Sequence, residues 1–248
     1  MTSTPTAGPV VDTLAAQEFI GEIHRRLDHR DIEAMTAGLA AKATRVRSLL
    51  APDRPAPGLG ELHWLLRSCF PSRRQTRAIL DAVGVDALGT AMRSLVHGDG
   101  DLGERVERFD ACLAGFPEVA TDLPWELLHL ARPDRYWLWT RWMWNPRTET
   151  GALALVTAED VELSAPGPVE SYERVGRALA MVHGTVRAVD FAGDGPFGID
   201  VFLACVYGIY MYTVLRMRMT QEFTRIVPEL PALCRRLLGI YHREVLCP

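Results

Sequence analysis

The sequence predicts a mainly α-helical, multi-helix globular bundle with one small β-hairpin at about residues 142–163. Three observations lead there. Apolar residues recur at helical spacing through most of the chain, as Leu14, Phe19, Ile23 and Leu27 do. The helical stretches are short and bounded by Gly, Pro or Asp. One region alone, "PRTETGALALVTAEDVELSAPGP", alternates apolar and polar residues on both sides of the polar "TAED", as a hairpin would.

Taken in order, residues 1–11 carry no basic stretch followed by an apolar core, so they read as a short disordered leader and not a signal peptide. Residues 12–248 are expected to form a single helical domain. It opens with a helical hairpin over 12–50, joined onward by the Pro/Gly-rich linker 51–60, "APDRPAPGLG". Helical patterns resume at "ELHWLLRSCF", "SRRQTRAILDAVG", "DALGTAMRSLVHG" and "LGERVERFDACLAGF". "TDLPWELLHLAR" opens like a helix with Thr121 or Asp122 as N-cap and Pro124 in the first turn, and ends before Pro133. After the hairpin, a helix from about Val169 to Val189 leads to the apolar run Val201–Leu215, and Pro228 and Pro231 precede a last helix. Asp200 and Arg216 bracket that run, which as a helix covers about 22 Å against a ~30 Å hydrocarbon core. It reads as a central packed helix whose tyrosines reach polar partners, with no transmembrane segment.

Composition narrows the function classes. With 48% hydrophobic and 23% charged residues, 248 residues suffice for a sizeable core. A net charge of −4 and a pI near 6.0 oppose general polyanion binding, so nucleic acid is not the expected partner. The five cysteines are widely spaced, with no C-x-x-C, which fits reduced thiols in a cytoplasmic protein and neither a zinc site nor a disulfide framework. Lys42 is the sole lysine, so a Schiff-base lysine would have to be that one, but its Ala-rich surroundings read as a solvated helix face. No cofactor is expected.

Few motifs carry chemistry. "GDGDLG" matches G-x-G-x-x-G but follows a helical pattern and places Asp99 and Asp101 where a pyrophosphate would sit, so it reads as a helix–helix connection. Glu126 and His129 form a Glu-x-x-His pair, half of a di-iron carboxylate pattern without its second half, and are the alternative metal-binding residues. Around "SRRQTRAILDAVGVDALGTAMRSL" two helices flank Gly84 as in a helix-turn-helix, and Arg67, Arg73, Arg74 and Arg77 are the residues a nucleic-acid reading would use. Cations in a helix's first turn oppose its dipole, so Arg73 and Arg74 are expected to face an acidic neighbour or partner. "LLHLARPDRYWLWT", about fourteen residues, resembles the segment of helix-hairpin-helix DNA glycosylases in which a helix ends, a proline follows, and a catalytic aspartate lies just beyond an aromatic. That resemblance implies nucleic-acid handling. Here Trp139 or Thr140 stands where that family has its aspartate, so no catalytic residue carries over.

The stretch "RYWLWTRWMW", Arg135–Trp144, holds four of the six tryptophans. As a helix it puts Trp137, Arg141 and Trp144 on one face; as a strand it splits the indoles between two faces. It is expected either to plug the core, with Arg141 stacked between Trp137 and Trp144, or to dock a partner through Arg135, Trp137, Arg141 and Trp144, since Trp and Arg dominate interface hot spots. The function that follows is a non-catalytic accessory protein or subunit that docks on a protein partner or on a second copy. The rivals are a nucleic-acid-handling helical protein and a metal or cofactor enzyme around Glu126 and His129.

Overall fold

The computed structural model describes residues 10–218 and 228–240, and among them ten α-helices account for most of the chain. The N-terminal hairpin is present as α1 (Thr13–Arg26) and α2 (His29–Leu49), each started by an aspartate whose carboxylate accepts a first-turn amide: Asp12 from Ala15 N–H and Asp28 from Asp31 N–H. Of the expected leader, residues 1–9 lie outside the described residues, while Val10 and Val11 pack partly against the core. After the Pro/Gly-rich break come α3 (Leu59–Ser68), α4 (Thr76–Val83), α5 (Val85–His97) and α6 (Leu102–Cys112). Gly84 alone turns α4 into α5, at φ 82°, a backbone state that favours glycine. "GDGDLG" is the α5–α6 connection, with Asp101 capping α6.

Helix α7 (Pro117–Ala131) starts earlier than its sequence suggests. Pro117 occupies its first turn behind Phe116, so Thr121 and Asp122 are interior residues and Pro124 sits inside the helix. It ends before Pro133 as expected. Then follow α8 (Pro168–Ala188), α9 (Gly198–Arg218) and α10 (Leu230–Leu237). Two helices are central: α7 packs against α2, α5 and α6, and α9 packs against α1, α2, α8 and α10. Residues Asp122–Ala131 of α7 and Ile199–Val206 of α9 are buried without interruption, so one hydrophobic core runs through every described helix. No helix among the described residues is long and apolar enough to cross a membrane. The apolar run is central only in its first half, because Tyr210 is 40% exposed.

The β-hairpin expected at 142–163 is absent. No strand forms among the described residues; two isolated antiparallel bridges, Val11–Thr157 and Asn145–Thr150, are all the β pairing there. At Asn145–Gly151 the chain folds back on itself, with Glu149 at φ 52° and Gly151 at φ 144°. A Cβ on Gly151 would lie 2.3 Å from Met143 O, so only glycine fits there. Beyond it, Leu153–Leu155 is a 3₁₀ turn, and Ala152, Leu153 and Val156 are all buried at 0% exposure. Burying positions 153 and 156 together requires a helical spacing of three, which the alternating letters of "GALALV" conceal.

Candidate functional site

Helix α7 carries an acid–base stripe. Asp122, Glu126 and His129 recur at i, i+4 and i+7, which lines them along one face. All three are buried, with residue exposures of 2%, 3% and 1%. A buried charge without partners is costly. Each of the three has its own.

At the centre, the Lys42 ammonium donates to Glu126 Oε1 at 2.8 Å and to the Leu238 carbonyl at 2.9 Å. Glu126 Oε2 accepts the Phe70 backbone N–H at 3.1 Å. Four parts of the chain meet here: α2, α7, the turn after α3 and the residues after α10. The approach is close, since a Cβ on Gly239 (φ 68°) would lie 1.8 Å from Ser68 O and 2.8 Å from Lys42 Nζ. Lys42 is therefore no solvated surface residue; it lies at 1% exposure against a carboxylate. Cys69 adjoins the pair, and burial followed by the Glu126 charge pushes its thiol well above the ordinary range.

At the C-terminal end of α7, His129 Nδ1 is 2.7 Å from the Tyr136 carbonyl and Nε2 is 2.8 Å from Asp200 Oδ2. A carbonyl only accepts, so Nδ1 carries a proton, and an imidazolium satisfies both contacts. Burial pulls the imidazole down, but the Asp200 charge and hydrogen bond together with the Tyr136 carbonyl outweigh it, and the balance is upward. The ends of two helices favour the same state, because His129 lies in the last turn of α7 and Asp200 in the first turn of α9.

Near its start, Asp122 Oδ2 accepts from Arg141 N–H at 3.2 Å and Arg141 Nε–H at 3.0 Å. Arg141 also donates to the Glu118 carbonyl at 3.1 Å and lies 3.4 Å from the Glu118 carboxylate. Burial pushes the Asp122 carboxyl up to about 6, outweighing the Arg141 charge that pulls it down.

The tryptophan stretch runs over α7 as neither helix nor strand. Residues 136–140 form neither helix nor strand, and the chain then turns at 141–143. Trp139, Trp142 and Trp144 are buried, Trp137 and Arg141 are half-buried, and Arg135 is exposed. The expected stack of Arg141 between Trp137 and Trp144 does not form, because Asp122 and Glu118 hold the guanidinium instead. The rings pack on other elements. Trp125 stacks on Tyr172 of α8 at 4.2 Å and 10°, with Trp139 at 5.7 Å from Trp125. Trp139 Nε1–H donates to Trp144 O at 2.9 Å. The Tyr172 hydroxyl accepts from Trp137 N–H at 2.8 Å and donates to Trp137 O at 3.1 Å. Trp137 fits over Gly176, where a Cβ would stand 3.1 Å from its ring, and meets His183 edge-on. Trp142 reaches Tyr207 of α9. The four residues expected to dock a partner do not share an exposed face.

The two nitrogens of His129 and both oxygens of Glu126 are engaged inside the fold, and among the described residues no three His, Cys, Asp or Glu side chains gather at metal-holding spacing. Of Trp139 and Thr140, the two residues at which the sequence resemblance would place a glycosylase aspartate, Thr140 is buried and its hydroxyl has no hydrogen-bond partner among the described residues.

The candidate arginines fall on consecutive parts of the chain, α3, the turn after it and α4. Arg67 ends α3; Arg73 and Arg74 lie in the turn before α4, ahead of its first residue Thr76, so the expected conflict with the helix dipole does not arise for them. Arg73 donates to the Arg236 carbonyl at 2.7 Å and covers the Phe70 ring at 4.6 Å. Arg67, Arg74, Arg77 and Arg236 are exposed. Arg77 has one loose contact, 3.7 Å to Asp81. Nothing beside Lys42 in the chain signals its partners, since Glu126 and Leu238 are 84 and 196 residues away in sequence. Comparison with known proteins finds no match to this chain among family models, curated proteins or solved structures.

Proposed function

We propose that this chain is a non-catalytic helical accessory protein that docks on an acidic segment of a protein partner through the arginine corner at α3–α4. One observation carries the reading: Arg67, Arg74, Arg77 and Arg236 stand exposed around a turn whose backbone is fixed from beneath. Glu126 accepts the Phe70 N–H of that turn, Ser72 Oγ–H donates to Leu66 O at 2.8 Å, and Arg73 ties the turn to α10. The backbone carrying these arginines is thereby held in place, and a guanidinium can meet a carboxylate through two parallel N–H donors. The concentrated acid–base groups of α7, by contrast, face inward and are satisfied by other parts of the chain. Of the tryptophan stretch, Arg135 and the outer edges of Trp137 and Arg141 reach solvent and are the portion able to contribute to docking.

Fluorescence anisotropy with a labelled oligoglutamate peptide tests the reading. Binding should weaken as salt rises, and Arg67→Glu, Arg74→Glu and Arg77→Glu together should abolish it without changing the thermal midpoint, because all three side chains are exposed. Equal binding by wild type and triple variant would refute it. Duplex DNA bound below about 1 μM at ~0.15 M salt, and released by the same triple variant, would replace it with the nucleic-acid reading.

A further inference from the structure

Cys205 of α9 and Cys234 of α10 meet inside the protein. Their Sγ atoms are 3.8 Å apart, and Cys234 Sγ–H also lies 3.5 Å from the Ala204 carbonyl. Both residues are fully buried. The contact arises because α9 presents small residues where α10 crosses it. A Cβ on Gly208 would stand 2.7 Å from Leu230 Cδ1 and 3.4 Å from Cys234 Sγ, so the glycine lets the α10 side chains lie directly on α9. Elsewhere α10 and the residues after it are held by polar contacts: Arg235 to Asp31 at 2.9 Å, Arg73 to Arg236 O at 2.7 Å and Lys42 to Leu238 O at 2.9 Å. Leu238 and Gly239, just after α10, lie against the Lys42–Glu126 pair.

We propose that Cys205 and Cys234 are an oxidant-sensitive lock, in which a hydroperoxide converts the two thiols into a disulfide that fastens α10 to α9 over the Lys42–Glu126 pair. The sulfurs are in van der Waals contact, and side-chain rotation must close them to the ~2.05 Å of a disulfide. In the first step one sulfur takes an oxygen from the hydroperoxide, breaking the O–O bond and leaving an alcohol, or water from hydrogen peroxide, and a sulfenic acid. In the second, the other sulfur attacks the sulfenic sulfur, the S–O bond breaks, and the departing hydroxide leaves as water with the second thiol's proton. Two thiols are oxidised and one peroxide is reduced. The reaction is slow, because the hydrogen bond from Cys234 and burial hold the Cys205 thiol well above its usual range and keep the thiolate scarce. The same burial shields the finished bond from thiol reductants, so it persists while the protein stays folded.

The test uses the full chain, treated with hydrogen peroxide, unfolded in an alkylating reagent and digested without reductant. The expected product is a cross-linked peptide joining Cys205 to Cys234, with the count of alkylatable thiols falling from five by two. A disulfide closing this loop should raise the thermal midpoint by roughly 5 to 10 °C. The rise should vanish in Cys205→Ala and persist in Cys69→Ala. Dithiothreitol should reverse it quickly after unfolding and slowly before. Full alkylation of both cysteines after peroxide, oxidation of either to a sulfinic acid without cross-linking, or a disulfide joining other cysteines in their place would overturn the proposal. The cross-link is sought in the wild-type chain, so its presence or absence does not depend on how well any variant folds.

Discussion

Removing the Lys42 ammonium should be among the most damaging single changes available to this protein. Lys42→Met keeps most of the length of the side chain and deletes its charge. It leaves the Glu126 carboxylate, at 4% side-chain exposure, with the Phe70 N–H as its remaining backbone donor, and it strips the Leu238 carbonyl of the bond it accepts from Nζ. Breaking a buried pair from one side costs about 3 to 5 kcal/mol, and the stranded carbonyl adds about 1 to 3 kcal/mol. Glu126→Leu strands the ammonium in the same way. The double variant Lys42→Met plus Glu126→Leu removes both charges and should lose less than the sum of the singles by at least about 2 kcal/mol. Urea unfolding followed by fluorescence gives the three differences, and tryptophans lie around α7 to report them. Single variants each costing under about 1 kcal/mol, or strict additivity in the double, would show that the pair is not the buried ionic contact described above.

Asp122 should give stability an unusual pH slope. Its folded value of about 6 lies above the 3.8 of an ordinary aspartate, so the folded state holds the extra proton between those values. Stability from this group is therefore greatest at low pH and is lost as pH rises through about 6, by on the order of 3 kcal/mol across the window. Asp122→Asn removes the titration, so the gap between the unfolding free energies of the two proteins should change by that amount from pH 4 to 8; parallel curves would contradict it. Trp139→Ala should cost about 3 to 5 kcal/mol by emptying the space beside Trp125 and Tyr172, and acrylamide should quench the wild-type protein poorly. Ready quenching together with a loss below about 1 kcal/mol would place that indole at the surface.

Most helices are legible in the letters alone, because caps, breakers and a 3.6-residue apolar period act over a few neighbouring residues. Asp12, Asp28 and Asp101 cap α1, α2 and α6 from within the local sequence, Gly84 turns α4 into α5, and Pro133 follows the end of α7. Where a segment's conformation depends on distant partners, the letters mislead. "GALALV" alternates like a strand, but no second strand is beside it, and its buried residues follow the spacing of a 3₁₀ turn. Thr121 and Asp122 look like caps because both are good ones, yet Pro117 starts α7 a turn earlier and Asp122 serves Arg141 instead. Lys42 reads as solvent-facing among alanines. Its burial is decided by Glu126, 84 residues away, and by Leu238, 196 residues away, which arrive only when α7 and the chain after α10 close around α2. The tryptophans likewise promise a large apolar contact without naming its other side. Their destination is set by α7, α8 and α9, because an indole buries its surface against whatever the packed fold brings within reach.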